Sequence, residues 1–577
     1  MPAVLACDRS RRWPHPSESP QRGRLSAAGV AGLVSSRRAL GNGRRRRMRC
    51  AGLGIGAERR ITVATGLVLA LIVSPVQLAQ ADSRPLTVPA LQSWTPAAGK
   101  WQLGSNARVV IGSGDLLGEA QQLASDVRAL TGRAPSVDPT PGARAVRGDI
   151  RLALVRPDAE LGAEGYALKV GGAFVISAPT PAGVFYGGRT LLQLLSQGPS
   201  VSHGTARDWP RYSQRGLMLD AARTAYSRAF IESQIVRLAY LKENILHLHL
   251  TDDERWGIQS DTHPEIVASD ALSKSDIGDI LAVADKYHVQ VIPEIDLPGH
   301  SAALLAKHPD LELKLGGTYT TSSPETYVTD KLDIGNPAAL AMVEQLLDEY
   351  LPLFPGRYWD LGDDEYLSPA QYPLYPTLAS YAVATYGPGA TPSDAIHGFI
   401  NWADAIARSY GKTMRVWNDQ LNLGALVPVN ADVAVDWWID VSPFGDTFTV
   451  PPLLLVGQGH DVLNAGWFPT YYAGDLGPIQ GKSNMQQAYE SWEVNQFCDP
   501  EYTGDNRLTP CTTVGAGDPH LLGSQINVWG PLPETPDQTA AGIWPRLAVI
   551  SQKTWNSPVL SSSYTGFQQI LSAVGHP

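Results

Sequence analysis

Tyr358-Trp359-Asp360-Leu361-Gly362-Asp363-Asp364-Glu365-Tyr366 places three consecutive carboxylates directly after a short apolar run and a glycine. Like charges this close cannot all ionise at their ordinary pKa, so at least one is expected to be pushed upward, as a proton donor near neutral pH requires. Read this way, the stretch is a buried strand ending in a catalytic carboxylate cluster. Two plainer readings stand beside it, a solvated acidic turn and an acidic cation loop.

The surrounding sequence decides in favour of a strand end. From Arg211 onward, near-continuous apolar runs alternate with helical periodicity, the pattern of parallel strands buried on both faces. Eight such runs are read: Arg215–Asp220, Asn244–Leu250, Val289–Pro293, Tyr358–Leu361, Thr413–Trp417, Asp432–Trp437, Val462–Gly466 and Ser524–Trp529. Eight units predict an α/β fold of the (β/α)8 TIM-barrel type, in which functional groups sit at the C-terminal ends of strands. The polar residues fall there. Asp220 and Arg223 follow the first run, Asp252-Asp253-Glu254 the second, Glu294, Asp296 and His300 the third, and Asp363 to Glu365 the fourth. Trp417, Trp437-Trp438, Trp467 with Tyr471-Tyr472, and Trp529 close the other four. Acids and a histidine facing aromatic planes suit a sugar, whose C–H faces stack while its hydroxyls bond to charged groups.

Upstream, residues 82–208 read as a small α+β domain. Strands are expected at Ala107–Ile111, Asp149–Leu154, Gly165–Val170 and Ala173–Ser177, the last two joined as a hairpin through Gly171-Gly172, with helices over Gly118–Leu130 and Thr180–Leu195. Residues 209–577 form the barrel. The first 81 residues differ in kind: they carry 14 Arg, no Lys and three acids, a formal +11, and −10 less +11 leaves −21 for residues 82–577. Arg44–Arg47, Met48 and further arginines lead into the apolar run Ile61–Val73, and Ala79-Gln80-Ala81 offers a small-x-small cleavage site. That order describes a secretory signal peptide starting near Met48, preceded by an over-long start. The expectation is a secreted protein cleaved near Ala81, with no stable membrane insertion afterwards. Nucleic acid is not expected as a partner, because the acidic mature chain repels phosphate. Cys498 and Cys511, 13 residues apart in a Gly/Pro/Asp-rich stretch, are expected to pair in an oxidising compartment. No zinc-type Cys/His spacing is present.

With these residues in view, the mature chain resembles glycoside hydrolase family 20, the β-N-acetylhexosaminidases. The motifs carrying the resemblance are Arg215-Gly216-Leu-Met-Leu219-Asp220-Ala-Ala-Arg223, His247-Leu-His249-Leu250-Thr-Asp252-Asp253, Pro293-Glu-Ile-Asp-Leu-Pro-Gly-His300, and Gly183-Val-Phe-Tyr186-Gly187-Gly-Arg-Thr190-Leu191-Leu-Gln193-Leu194 in the small domain. The resemblance implies a retaining hydrolase acting on an oligosaccharide or glycan without an enzyme nucleophile, the substrate's own 2-acetamido oxygen attacking the anomeric carbon. It implies that Asp364 orients the acetamido group and that Glu365 is the acid and base. His300 and Asp252 would tune Glu365, and Arg215 would hold sugar hydroxyls. Trp417, Trp437 or Trp438, and Trp529 would wall the acetamido pocket, with Trp467 beside them, and Tyr471 or Tyr472 would donate to the acetamido oxygen. No metal and no cofactor is called for.

Two departures stand out. The family's His-x-Gly-Gly-Asp-Glu reads Asp360-Leu-Gly362-Asp363-Asp364-Glu365, and its Trp-x-Glu after the last strand reads Trp529-Gly530-Pro531. The second removes an acid that contacts outer hydroxyls of the terminal sugar. It leaves room for the family's lacto-N-biosidase branch, which releases a disaccharide. A metal-dependent barrel hydrolase using His247 and His249, which alternate onto one strand face, and a non-catalytic glycan-binding barrel are the competing readings.

Overall fold

The computed structural model describes residues 84–316, 330–439, 450–473, 482–498 and 511–577, without side chains for 482–484. The expected signal peptide lies outside the described residues.

Eight parallel strands close into a barrel: β1 Gln214–Asp220, β2 Ile245–His249, β3 Gln290–Glu294, β4 Tyr358–Asp360, β5 Thr413–Trp417, β6 Ala434–Trp437, β7 Val462–Asn464 and β8 Leu521–Trp529. Each pairs with its neighbour, and β8 closes the ring by pairing with both β7 and β1. The strands are buried along almost their whole length, which is why apolar residues dominate them, with buried polar side chains such as His247, His249 and Asn527 set among them. Register sets the site. Asp220 pairs with His249, His249 with Glu294, and Glu294 with Asp360, so four polar residues from four strands share one level at the C-terminal rim.

The preceding region is a mixed seven-stranded sheet in the order Thr95–Gln102, Ser200–Asp208, Tyr166–Val170, Phe174–Ala178, Ile150–Leu154, Arg108–Ile111, Ser136–Asp138. The Tyr166–Val170 and Phe174–Ala178 hairpin and the helices Leu117–Thr131 and Pro181–Ser196 match expectation. Three strands were not anticipated: Thr95–Gln102, Ser136–Asp138 and Ser200–Asp208. The first is exposed at nearly every position, so no apolar alternation marks it. The helix Pro181–Ser196 is buried nearly all round, as a helix packed on two sides must be. Its Gln193 bonds the main chain of Val88 and the carbonyl of Tyr240, tying the sheet region to the barrel.

Arg215, expected among sugar-binding residues, lies at the opposite end of the barrel. It starts β1, about 16 Å of strand from Asp220 at 3.3 Å per residue, and its side chain is 1% exposed. The guanidinium pairs with Glu164 of the small domain at 2.8 Å and bonds the carbonyls of Lys242 and Tyr212. Nearby, Lys242 pairs with Asp208 at 2.9 Å, with both side chains fully buried. These ion pairs join the barrel floor to the small domain; Arg215 cannot reach a ligand at the mouth.

Cys498 and Cys511 form a disulfide, as expected. It closes a short loop, so on the chain-entropy account its reduction is expected to cost about 3 kcal/mol at most. Thermal unfolding with and without reductant checks this: a lowered midpoint with the barrel's circular dichroism intact at 25 °C is the expected result.

Candidate active site

The carboxylates of Asp364 and Glu365 are held by a strained turn. Gly362, Asp363 and Glu365 all take left-handed backbone conformations, with φ of 74°, 66° and 51°. At Gly362 a Cβ would run into the Asp296 side chain, and at Gly299 one would press on the carbonyl of Asp364, so the loops after β3 and β4 close on each other only through these glycines. Asp363 occupies a conformation glycine adopts freely and aspartate tolerates better than most residues. Its carboxylate is fully buried, neither oxygen has a hydrogen-bond partner among the described residues, and burial, then Asp419 and Asp364, push it well above the ordinary carboxylate range. An unpaired buried polar group costs about 1–3 kcal/mol. Asp363→Gly is therefore expected to raise the unfolding midpoint; an unchanged or lower midpoint would show that this carboxyl has a stabilising partner.

His300 stands between the acids. Its Nε2 lies 3.4 Å from Glu365 Oε2 and 3.7 Å from Asp364 Oδ2, and its Nδ1 lies 3.5 Å from Asp252 Oδ1 and 3.6 Å from Asp253 Oδ2. Burial would lower its pKa, but Asp252 and Asp364 outweigh that and hold it well above the usual histidine value. Asp252 is in turn fixed from behind by His249 Nε2 at 2.8 Å and Arg223 Nη2 at 2.5 Å, and His249 Nδ1 rests on Glu294 at 2.8 Å. A continuous chain of ion pairs thus runs Glu365–His300–Asp252–His249–Glu294. His247 joins it at Glu294, 3.0 Å away, and lies 3.6 Å from Asp360, while Arg415 pairs with Asp436 beside them. Both strand histidines point into the barrel, as their alternation predicts, and both are committed to carboxylates.

The two acids titrate in opposite senses. Burial, with Asp419 and Glu365 adding to it against His300, pushes Asp364 up to about 7. For Glu365 the burial contribution is overcome by the hydrogen bond and charge of His300, helped by Arg223 and Lys331, and its pKa is lowered. The expected upward shift falls on Asp363 and Asp364, and not on Glu365. His300 Nε2, 3.4 Å from Glu365 Oε2, is placed to exchange a proton with it.

The aromatic half of the rim is one cluster: Trp417, Trp438 and Tyr471 are buried together, with Trp467 and Trp529 partly exposed against them. Trp438 and Tyr471 stand nearly parallel, at 6.3 Å and 12°. Of each tandem pair only one member is here. Trp437, the last residue of β6, faces outward and packs edge-on against Phe497. Tyr472 donates to Glu534 and packs under Arg546. Both are corrections to the expected set, with one cause: adjacent residues of an extended chain point to opposite sides.

One contributor was missed in the sequence, and another was placed at the rim without a role. Asp419 accepts the Glu365 amide at 2.7 Å and the Trp438 indole N–H at 3.0 Å, joining the acid's strained backbone to the aromatic wall. Its signal was an acid two residues beyond Trp417. Arg223, eight residues after Arg215 in the same motif, is the guanidinium at the mouth, pairing with Asp220 and Asp252 and lying over Trp529. Beyond Trp529, Gly530 donates to Asp220 and Pro531 is exposed, with no polar side-chain atom to offer.

A polarised acid pair with a histidine, set against an aromatic wall at the C-terminal rim of a TIM barrel, is a glycosidase-type geometry. Residues 212–558 match glycosyl hydrolase family 20, catalytic domain, and residues 84–209 match glycosyl hydrolase family 20, domain 2. The chain belongs to glycosyl hydrolase family 20. It is therefore a glycoside hydrolase. A lacto-N-biosidase from Bifidobacterium bifidum is 31% identical over 514 residues, 87% of this chain and 42% of that protein, so this family 20 chain spans less than half its length. β-Hexosaminidase subunit A1 of Dictyostelium discoideum is 27% identical over 72% of each chain. The family 20 β-N-acetylhexosaminidase structure from Streptomyces coelicolor aligns with a TM-score of 0.64 at 25% identity, over 85% of this chain and 95% of that one. Among the described residues of this family 20 enzyme, no helix is long and apolar enough to cross a membrane.

Proposed function

We propose that the protein is a secreted retaining exo-β-N-acetylhexosaminidase that removes terminal β-linked GlcNAc or GalNAc from glycans by substrate-assisted catalysis. The observation that carries the reading is the placement of Asp364 and Glu365, 3.7 and 3.4 Å from His300 Nε2, facing the aromatic wall at the C-terminal rim of the barrel. The acetamido oxygen attacks the anomeric carbon and forms an oxazolinium. Asp364, ionised in the active form, accepts the acetamido N–H and carries a charge matched to the positive charge developing on that nitrogen. Glu365 receives a proton from His300, delivers it to the leaving oxygen, and then accepts a proton from water as the oxazolinium opens. Asp252 holds His300 in place for that transfer. Trp417, Trp438 and Trp529 form the apolar wall, Tyr471 donates to the acetamido oxygen, and Arg223 takes the place first expected for Arg215 in holding sugar hydroxyls. Burial and then Asp364 push the Tyr471 phenol well above its ordinary value, so it stays a neutral donor.

A second reading, release of a disaccharide, is favoured by one feature: Pro531 stands exposed where an acid would cap the terminal sugar, and its side chain offers no polar atom. The 31% identity to a lacto-N-biosidase supports the same reading. A panel of aryl β-N-acetylglucosaminide, β-N-acetylgalactosaminide and lacto-N-bioside separates the two. Higher kcat/KM on the monosaccharides supports the first, higher kcat/KM on the disaccharide the second, and no turnover of any member would leave a glycan-binding barrel. Export is tested on the same protein by its mass, expected to begin near Asp82.

A further inference from the structure

Outside the active site, three side chains from two loops converge on the surface. His263 and Glu265 flank Pro264 in the short 3-10 turn Pro264–Ile266, between β2 and the helix Lys274–Lys286. His308 comes from the loop after β3, just before the turn Pro309–Leu311 and eight residues beyond His300. Glu265 Oε1 lies 3.2 Å from His263 Nδ1 and 2.8 Å from His308 Nε2, and all three atoms fall within 4.8 Å of one another. The side chains are 15%, 42% and 28% exposed, so an ion from solvent can reach them.

The hydrogen bonding of His263 tells what belongs between them. Its Nε2 lies 2.9 Å from the amide oxygen of Gln345, on the helix Pro337–Tyr350, and that acceptor takes the Nε2 proton. A neutral His263 then carries its lone pair on Nδ1, aimed at the Glu265 carboxylate. Acceptor against acceptor is repulsive, and a cation between them turns the repulsion into ligation. A carbonyl that fixes the tautomer of a ring from its far side is the usual companion of a metal-bound histidine. At zinc bond lengths of about 2.0–2.1 Å, tetrahedral ligands stand roughly 3.3 Å apart; the Glu265–His263 edge is 3.2 Å, and the Glu265–His308 edge of 2.8 Å would open on ligation.

We propose that His263, Glu265 and His308 form a binding site for a borderline divalent transition ion, Zn2+ foremost, with solvent at the fourth position. Two imidazoles and one carboxylate are a ligand set that zinc takes readily and that magnesium or calcium do not favour. The ion would tether the loop after β2 to the loop that also carries His300, so its effect is on the order of the active-site rim.

Titrating metal-stripped full-length protein with Zn2+ in a calorimeter is expected to give one ion per chain, with at least tenfold weaker binding in His263→Asn and in His308→Asn. Zn2+ should raise the unfolding midpoint of the wild type and not of the variants. Co2+ in the wild type should give visible d–d absorption. Should a variant fail to fold, protection of His263 and His308 from diethyl pyrocarbonate by Zn2+ in the wild type serves instead. No saturable binding, or equal binding in folded variants, or no protection of these two histidines, would overturn the site and leave a hydrogen-bonded His263–Glu265–His308 cluster.

Discussion

Asp364→Asn is expected to lower kcat by about 10²- to 10³-fold while KM changes little. The amide oxygen of Asn still accepts the acetamido N–H in the ground state, so binding survives. It carries no charge, and the positive charge on nitrogen exists only as the oxazolinium forms, so the loss falls on the transition state. The same substitution should remove a pH limb. Asp364 must be ionised to act, and with its pKa pushed up to about 7 the free enzyme loses the active form as pH falls through about 7. Wild-type kcat/KM should therefore drop on the acid side from there, and the variant should lack that limb. A cyclic thiazoline mimic of the oxazoline should inhibit the wild type strongly and the variant weakly. A raised KM with kcat unchanged and the acid limb retained would assign Asp364 a binding role only.

Glu365→Gln is expected to cost about 10²- to 10⁴-fold on substrates with poor leaving groups, such as another sugar, and far less on nitrophenyl glycosides that depart without protonation. The structure adds a refinement. Glu365 is held below its ordinary value by His300, 3.4 Å away, so on the proposed mechanism the imidazole supplies the proton that Glu365 donates. His300→Asn should therefore reproduce the leaving-group dependence of Glu365→Gln in weaker form. Measuring kcat/KM across a series of aryl glycosides of graded leaving-group pKa checks both. A uniform loss across the series would remove Glu365 from the acid role.

How far the molecule could be read from its sequence depends on what burial writes into a sequence. Strands buried on both faces must be largely apolar, so Leu217–Leu219 or Leu246–Leu250 announce themselves, and the acids that end them mark the rim. That logic gave the barrel and placed Asp252, His300, Asp364 and Glu365 together. It fails where burial leaves no mark. Thr95–Gln102 is a strand with exposed side chains, held by main-chain pairing to Ser200–Asp208, and pairing of that kind has no residue signature. It fails also at parity: Trp437 and Trp438, or Tyr471 and Tyr472, differ only in which side of the chain they face, and no local pattern fixes that at the last residue of a strand. Arg215 and Arg223 share one motif, and only the direction of β1 tells which reaches the mouth. Asp419 acts by accepting a main-chain N–H from Glu365, 54 residues away, a contact that exists only once β4 and β5 lie side by side.

The central claim is that the acetamido oxygen is the nucleophile. The most direct measurement is the rate on aryl β-glycosides whose N-acetyl group carries none, one, two or three fluorines, since each fluorine weakens that oxygen as a nucleophile while leaving the glycosidic bond and the enzyme unchanged. Substrate assistance predicts that log(kcat/KM) falls steeply and steadily with each added fluorine. Rates independent of fluorination would contradict it, and would place the attacking group on the protein or in water.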